Sequence, residues 1–445
     1  MVHRPVDVRT FAVARGSDEA HRERLAAILD RIDEVEPHIH ALVPEPGRRA
    51  RVTAEIETLI VRYPAGRPRP PLFGVPVGVK DIFGVDGLQT RAGSKLPPGL
   101  FAGPEAISVS RLRSAGAVVV GKTVTAEFAY FAPGPTRNPW NPAHTPGGSS
   151  SGSAAAVSAG YCPLALGTQT IGSINRPAAF CGVVGLKPSY GRVPTNGVLP
   201  VSVSVDHVGL FAADVASVRA GAAVVWNEWR DSAHHANGSR DGAASGGVIL
   251  LLDDAYTAQA DDEARNAVAG AAAVLERAGW TVRRTELFRG IDPINDAHNR
   301  MVAREFADVH ERWAGTYGHL YESQSRELLE RGRRVTDAEL DEARAGRAEL
   351  RARVERLIEA ERAVCILSPS SMTAAPRGID ATGSPILNLP WTHAGLPTIT
   401  LPAGLNGAGL PLGLQITASH GADEQLVELA GRFEPVLRSG VSASR

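Results

Sequence analysis

The chain has 445 residues, is 43% hydrophobic and 21% charged, and carries a formal net charge of −1. That length is enough to bury a large core, and length alone suggests one big domain or two to three ordinary ones. The near-neutral balance argues against the basic face that nucleic acid or an anionic membrane requires, and the absence of a long apolar run and of an apolar stretch in residues 1–16 argues against a spanning helix or a secretory leader.

Strands and helices alternate along the chain. Residues 22–35 carry Leu25, Ile28, Leu29 and Ile32 at helical spacing, with Pro37 just past the expected end. A proline-rich connection at 64–71 leads into an apolar run that ends at Lys80. A helix at 107–115, stopped by Gly116, precedes a strand at 117–120. Alanines predict a helix at 153–159, followed by strands near 163–167 and 183–186. A polar loop at 231–247 enters a strand at 248–252, followed by a helix at 261–278. Residues 321–362 are rich in Arg and Glu with leucines at helical spacing, the pattern of one or two solvated surface helices. Strands at 364–367, 398–401 and 412–416 close the series. This alternation predicts an α/β sheet covered by helices on both faces.

Three cysteines, Cys162, Cys181 and Cys365, lie in apolar segments without metal-ligand spacing. Buried free thiols in a reducing cytoplasm are expected, with no metal and no organic cofactor. The basic residues carry a second message. Of 47 Lys and Arg, four are lysine: Lys80, Lys95, Lys122 and Lys187. Arginine stays protonated in proteins, whereas a buried lysine can become a neutral base. Lys80 ends an apolar run that would bury it; it is either such a base or a structural lysine paired with Asp81 or a backbone carbonyl.

The densest signal is residues 145–188, with Ser149, Ser150, Ser151 and Ser153 in one glycine-flanked cluster and Ser173 in another. Glycine beside serine brings the backbone close to a ligand and leaves hydroxyls and amides uncovered. The block reads as a site that handles a carbonyl through serine. Two familiar patterns within the chain fail on context. Residues 116–123 match a phosphate loop, but their Ala-Val-Val-Val core is a strand in itself. Residues 148–152 match the elbow of a serine esterase of the α/β-hydrolase kind, with His393 or His420 as the available histidine. That elbow needs a buried strand before it, and residues 136–146 contain three prolines.

These blocks together resemble the amidase signature family. Pro146-Gly-Gly-Ser-Ser-Ser-Gly-Ser-Ala-Ala-Ala, Gly167-Thr-Gln-Thr-Ile-Gly-Ser and Arg176-Pro-Ala-Ala-Phe-Cys-Gly-Val-Val-Gly-Leu-Lys-Pro carry most of the likeness. The Gly74–Asp81 segment, residues 115–123 and 136–142, and the segments 395–404 and 409–415 extend it over nearly the whole length. The resemblance implies one α/β/α domain over residues 1–445 around a large twisted mixed sheet, with a signature core at about 71–210 and C-terminal strands at about 363–417. This overrides the domain count that length suggests.

It also implies hydrolysis of a small carboxylic amide through a Ser–cis-Ser–Lys triad. Ser173 is then the nucleophile, Ser149 the bridging serine on a cis peptide bond and Lys80 the base. The N–H groups around Thr170, Ile171, Gly172 and Ser173 form the oxyanion hole. The same family includes the A-type component of tRNA-dependent amidotransferases, which passes ammonia to a partner. The chain departs from the commonest pattern at three places: Gln169 replaces an aspartate, Ile171 replaces a glycine, and the arginine, Arg176, falls three residues after the nucleophile instead of two. Gln169 and Arg176 are therefore candidate substrate contacts. Arg176, a planar fork suited to a carboxylate, either points to an acid-bearing amide or pairs with an internal acid or caps a helix. The expected partner is a small amide, with a homodimer possible.

Overall fold

Valine-rich segments form the first two strands, β1 (Pro76–Lys80) and β2 (Val118–Thr123), and every residue in both is buried. Continuous burial of this kind belongs to parallel strands covered on both faces, and β1 pairs in parallel with β2. In the computed structural model, which describes residues 2–12, 17–230 and 246–442, eight further strands follow. They are β3 (Leu164–Gln169), β4 (Val184–Lys187), β5 (His207–Ala212), β6 (Val248–Leu252), β7 (Thr281–Thr285), β8 (Ala363–Pro369), β9 (Thr398–Leu405) and β10 (Pro411–Thr417).

All ten join one mixed sheet in the order β2-β1-β3-β5-β4-β9-β10-β8-β6-β7. β1 is parallel to β3, and β6 is parallel to both β7 and β8. The middle of the sheet, from β3 through β5, β4, β9 and β10 to β8, is antiparallel. The larger apolar core gathers around β1–β5 and the smaller around Leu250, Ile366, Phe288 and Trp391. The three cysteines are buried and free.

The helix Ser151–Ala159 is buried along its whole length beneath the sheet. It packs so closely that a Cβ at Gly152 would run into the backbone of Ala41 and Val124. This close approach brings the serine block against the ends of β1 and β3. Two long helices, Asp292–Tyr317 and Asp337–Ala360, lie beyond, the second opened by a Thr336/Glu339 capping box.

Several boundaries differ from expectation. The first long helix runs from Asp18 through Pro37 to Ile39 and ends at His40, in the left-handed region with φ 53°. Pro37 falls in the last turn, where its missing N–H forfeits a single bond. β2 begins at Val118 and continues through Gly121, Lys122 and Thr123, so the apparent phosphate loop is strand from Val118 onward. β5, β7, and the helices Arg48–Arg62, Val215–Val225 and Asp292–Tyr317 have no counterpart in the sequence reading. The polar loop expected at 231–247 lies outside the described residues apart from its last two glycines.

Candidate active site

Lys80, the last residue of β1, has no exposed surface. Its Nζ lies 2.8 Å from Ser149 Oγ and 2.8 Å from Thr168 Oγ1. Burial drives its pKa well below the ordinary lysine value, with the charge of Asp206 pulling weakly the other way. Asp81 does not pair with it. That carboxylate meets Lys122 Nζ at 2.9 Å, and Lys122 also donates to Phe83 O at 2.7 Å and Thr90 Oγ1 at 2.9 Å. The two lysines thus divide between an ion pair and a hydroxyl pair.

Ser149 follows a cis peptide bond, Gly148–Ser149, and is 1% exposed. The two glycines before it are needed for space and conformation: Gly147 has φ +83°, and a Cβ on Gly148 would stand 2.6 Å from Thr382 Cγ2. The next serine is occupied elsewhere. Ser150 Oγ donates to Thr168 O at 3.1 Å, and no strand leads into the 148–152 segment. The esterase-elbow alternative fails on both counts. Its histidines are also placed otherwise: His393 Nδ1 meets His298 Nδ1 at 3.3 Å, and the backbone of His420 is held by Glu355.

Ser173 sits in the turn between β3 and the short helix Asn175–Cys181. The turn is pinned from outside. Thr170 Oγ1 donates to Asp206 at 2.6 Å, His298 Nε2 donates to Thr170 O at 3.1 Å, and Thr392 Oγ1 donates to Ile171 O at 2.7 Å. These partners hold the carbonyls of Thr170 and Ile171, Arg176 N donates to Gly172 O at 3.1 Å, and the N–H groups of Ile171, Gly172 and Ser173 find no protein acceptor among the described residues. Gly172 has no room for a side chain, since a Cβ would stand 2.8 Å from Pro385 Cβ. Ile171 keeps a negative φ, as a β-branched residue requires.

A narrow cavity lies against Ser173, walled by Ala129, Tyr130, Phe131, Ile171, Val302 and Pro385. Its free volume is about 10 Å³, room for roughly one water. Gln169, expected to contact substrate, does not line it. The Gln169 side chain is wholly taken by the protein: Oε1 accepts from Ile174 N at 2.7 Å and Asn175 N at 3.0 Å, and Nε2 donates to Asn175 Oδ1 and Thr392 Oγ1 at 2.9 Å each. It caps the helix that follows Ser173, a position where an aspartate could accept but not donate.

Arg176 does border the cavity, but its fork is occupied. Nη2 donates to Gly148 O at 2.6 Å and Thr382 Oγ1 at 3.2 Å, and Nη1 donates to Gly383 O at 2.8 Å. The parallel N–H pairs of a guanidinium are Nε with Nη2 and Nη1 with Nη2, so both need a free Nη2 hydrogen. Neither remains. The expected two-pronged carboxylate clamp is replaced by a tie on the carbonyl of the Gly148–Ser149 peptide bond itself. Arg176 is 1% exposed, and burial brings its pKa down to about 9.

Thr168, Asp206, His298 and Thr392 are site residues that the sequence reading does not single out. Thr168 lies inside the serine block; the other three are far away in the chain and meet the site only through the fold. Among the described residues, no group of three or more His, Cys, Asp or Glu is placed to hold a metal ion, and no helix is long and apolar enough to cross a membrane.

Comparison with known proteins finds relatives that span nearly the whole chain. The Amidase family profile matches residues 23–427. The A-type component of glutamyl-tRNA(Gln) amidotransferase from Synechococcus sp. (strain RCC307) is 32% identical, covering 97% of this chain and 96% of its own. Among solved structures, 6-aminohexanoate cyclic dimer hydrolase in complex with substrate superposes with a TM-score of 0.83 at 27% identity over 97% of both chains. The native peptide amidase from Stenotrophomonas maltophilia gives 0.78 at 28% identity, again over 97% of both. With its one mixed sheet and a family match that spans residues 23–427, the chain belongs to the amidase signature family.

Proposed function

We propose that this chain cleaves the C–N bond of a small carboxylic amide through a serine-bound acyl intermediate. Ser173 Oγ attacks the carbonyl carbon, and neutral Lys80 takes its proton by way of Ser149. The same proton then returns to the departing nitrogen, and water completes the cycle by attacking the acyl ester. The free amides of Ile171, Gly172 and Ser173, with that of Thr170, receive the oxyanion. What supports this reading most is the 2.8 Å bond between buried Lys80 and Ser149, made while the neighbouring Asp81 is held by a different lysine. Arg176 acts in this scheme as a positioning residue that fixes the Gly148 carbonyl. The reaction so written needs no metal and no organic cofactor, and a cytoplasmic setting and a possible homodimer are consistent with it.

A second reading has its own support, since similar curated proteins are the A-type components of glutamyl-tRNA(Gln) amidotransferases. Under it the chain delivers ammonia to a partner protein. The deciding experiment is ammonia release from a panel of primary amides by the purified chain alone. Turnover in isolation supports the amidase. A stable complex with a second protein, with activity only inside that complex, supports the amidotransferase.

A further inference from the structure

The N–H groups of Ile171, Gly172 and Ser173 belong to three consecutive peptide units, and each unit is held at its carbonyl end. A peptide unit is planar with its C=O and N–H pointing in opposite directions, so a bond that fixes the oxygen also aims the hydrogen. Thr170 O, in one unit with Ile171 N–H, accepts from His298 Nε2 at 3.1 Å. Ile171 O, in one unit with Gly172 N–H, accepts from Thr392 Oγ1 at 2.7 Å. Gly172 O, in one unit with Ser173 N–H, accepts from Arg176 N at 3.1 Å. The last bond is local to the turn, whereas the other two come from side chains 128 and 221 positions away.

The histidine bond needs one particular tautomer, and a second histidine is placed to select it. Thr170 O can only accept, so His298 Nε2 carries a hydrogen. Burial, then the neighbouring His393 and Arg347, holds the His298 pKa well below the usual imidazole value, so the ring is neutral and Nδ1 presents a lone pair. His393 Nδ1 lies 3.3 Å from that nitrogen and therefore donates to it. Burial and the Arg347 charge bring the His393 pKa down to about 4, which leaves its own Nε2 as an acceptor. A Cβ on Gly346 would stand 3.8 Å from this Nε2, and both residues line the groove between the two long helices, where water can serve it. Two placements tie the pair to the site. His393 follows Thr392 in the short helix Leu389–His393, so one element reaches two of the three peptide units. His298 lies one turn before Val302 in the helix Asp292–Tyr317, and Val302 walls the cavity at Ser173.

We propose that His298 and His393 are a positioning pair for the oxyanion hole. His393 fixes the tautomer of His298, and His298 fixes the Thr170–Ile171 peptide so that Ile171 N–H meets the charge developing on the substrate oxygen. The proposal rests on the hydrolytic reading. Neither histidine lines the cavity at Ser173, so the effect passes through the backbone. The full negative charge exists in the transition state and not in the bound amide. A misaimed donor therefore lowers kcat and leaves KM nearly unchanged.

The test measures steady-state ammonia release from a turned-over primary amide by paired variants of the whole chain, with folding checked by thermal unfolding. His298→Met removes the donor, whereas His298→Gln has nearly the same shape and keeps an amide N–H that reaches the place of Nε2. His298→Met should lower kcat by ~10- to 100-fold with KM within ~3-fold of wild type, less than the loss of a whole oxyanion donor. His298→Gln should restore most of that activity. His393→Leu should cost ~3- to 10-fold in kcat, the scale of one neutral hydrogen bond, and His393→Asn, with a donor in the place of Nδ1, should recover it. Neutron diffraction from wild-type crystals tests the same arrangement without any variant, and hydrogen is expected on His298 Nε2 and His393 Nδ1. Equal losses in both folded members of a pair, a loss confined to KM, an unchanged kcat in His298→Met, or hydrogen on His298 Nδ1 in place of Nε2 would overturn the proposal while leaving hydrolysis intact. A wild-type chain that releases ammonia from no amide would instead overturn the hydrolytic reading, and the pair's role with it, wherever the hydrogens lie.

Discussion

Replacing Arg176 by methionine separates a substrate contact from a positioning residue, because opposing terms largely cancel in stability and do not cancel in activity. Holding the guanidinium in its buried site lowers its pKa from 12.5 to about 9, which corresponds to roughly 5 kcal/mol of unfavourable transfer that Met would relieve. Against that, the substitution leaves Gly148 O, Gly383 O and Thr382 Oγ1 without their donor. Each orphaned buried acceptor costs about 1–3 kcal/mol, so the three together cost roughly 3–9. The two sums overlap, and the change in unfolding free energy should be a few kcal/mol at most. Activity has no such compensation. With the Gly148 carbonyl released, Ser149 loses its fixed place, and kcat/KM should fall by ~10- to 100-fold, the equivalent of one charged hydrogen bond. The fall should be the same, within a few-fold, for an acid-bearing and a neutral primary amide, and should appear mainly in kcat. Steady-state kinetics on such a pair of amides, alongside thermal unfolding, make the measurement. A rise in KM confined to the acidic amide, with the neutral one untouched, would refute the positioning role and restore the carboxylate clamp.

Lys80→Arg should abolish turnover as fully as Lys80→Ala, by ~10³-fold or more, with Ser173→Ala alike and Ser149→Ala milder; retention of a tenth of wild-type activity by Lys80→Arg would exclude a neutral base. Lys122→Met leaves the buried Asp81 carboxylate unpaired and should destabilise by about 3–5 kcal/mol in thermal or denaturant unfolding. Asp206 has its pKa raised by burial to about 6, above the value near 3.8 in the unfolded chain. Its contribution is therefore greatest below the unfolded value and is lost as pH rises toward 6, a change of about 3 kcal/mol per 2 pK units. The stability of Asp206→Asn relative to wild type should rise across that window, and a pH-independent difference would contradict the assignment. Limited proteolysis should not yield two independently stable halves, although a nick within 231–247 is compatible with one folding unit.

The parts of this site legible in the sequence are those whose chemistry is local. The glycines beside Ser149 announce a backbone that turns tightly, and the apolar run before Lys80 announces its burial, because both depend on immediate neighbours. Partnerships across the fold are not legible in the same way. Asp81 follows Lys80 in sequence, yet strand geometry turns consecutive side chains to opposite sides, and the aspartate finds Lys122 from β2 instead. Arg176 shows a chemistry, a planar cation near a nucleophile, but not which acceptors are waiting, and those belong to residues 28 and 206–207 positions away. The missed elements have the same cause. β7 is an exposed edge strand whose Thr-Val-Arg-Arg-Thr carries no alternation, and it is a strand only because β6 offers a parallel edge. Asp206 and His207 read as ordinary residues at the start of β5. Only when that strand lies beside β3, with Gln169 opposite His207, does Asp206 come to hold Thr170 and His207 meet the carbonyl of Gln169. In this fold Ser149 and Ser173 lie in one short block, Lys80 comes from β1, and the partners that pin the turn at Ser173, namely Asp206, His298 and Thr392, come from distant parts of the chain.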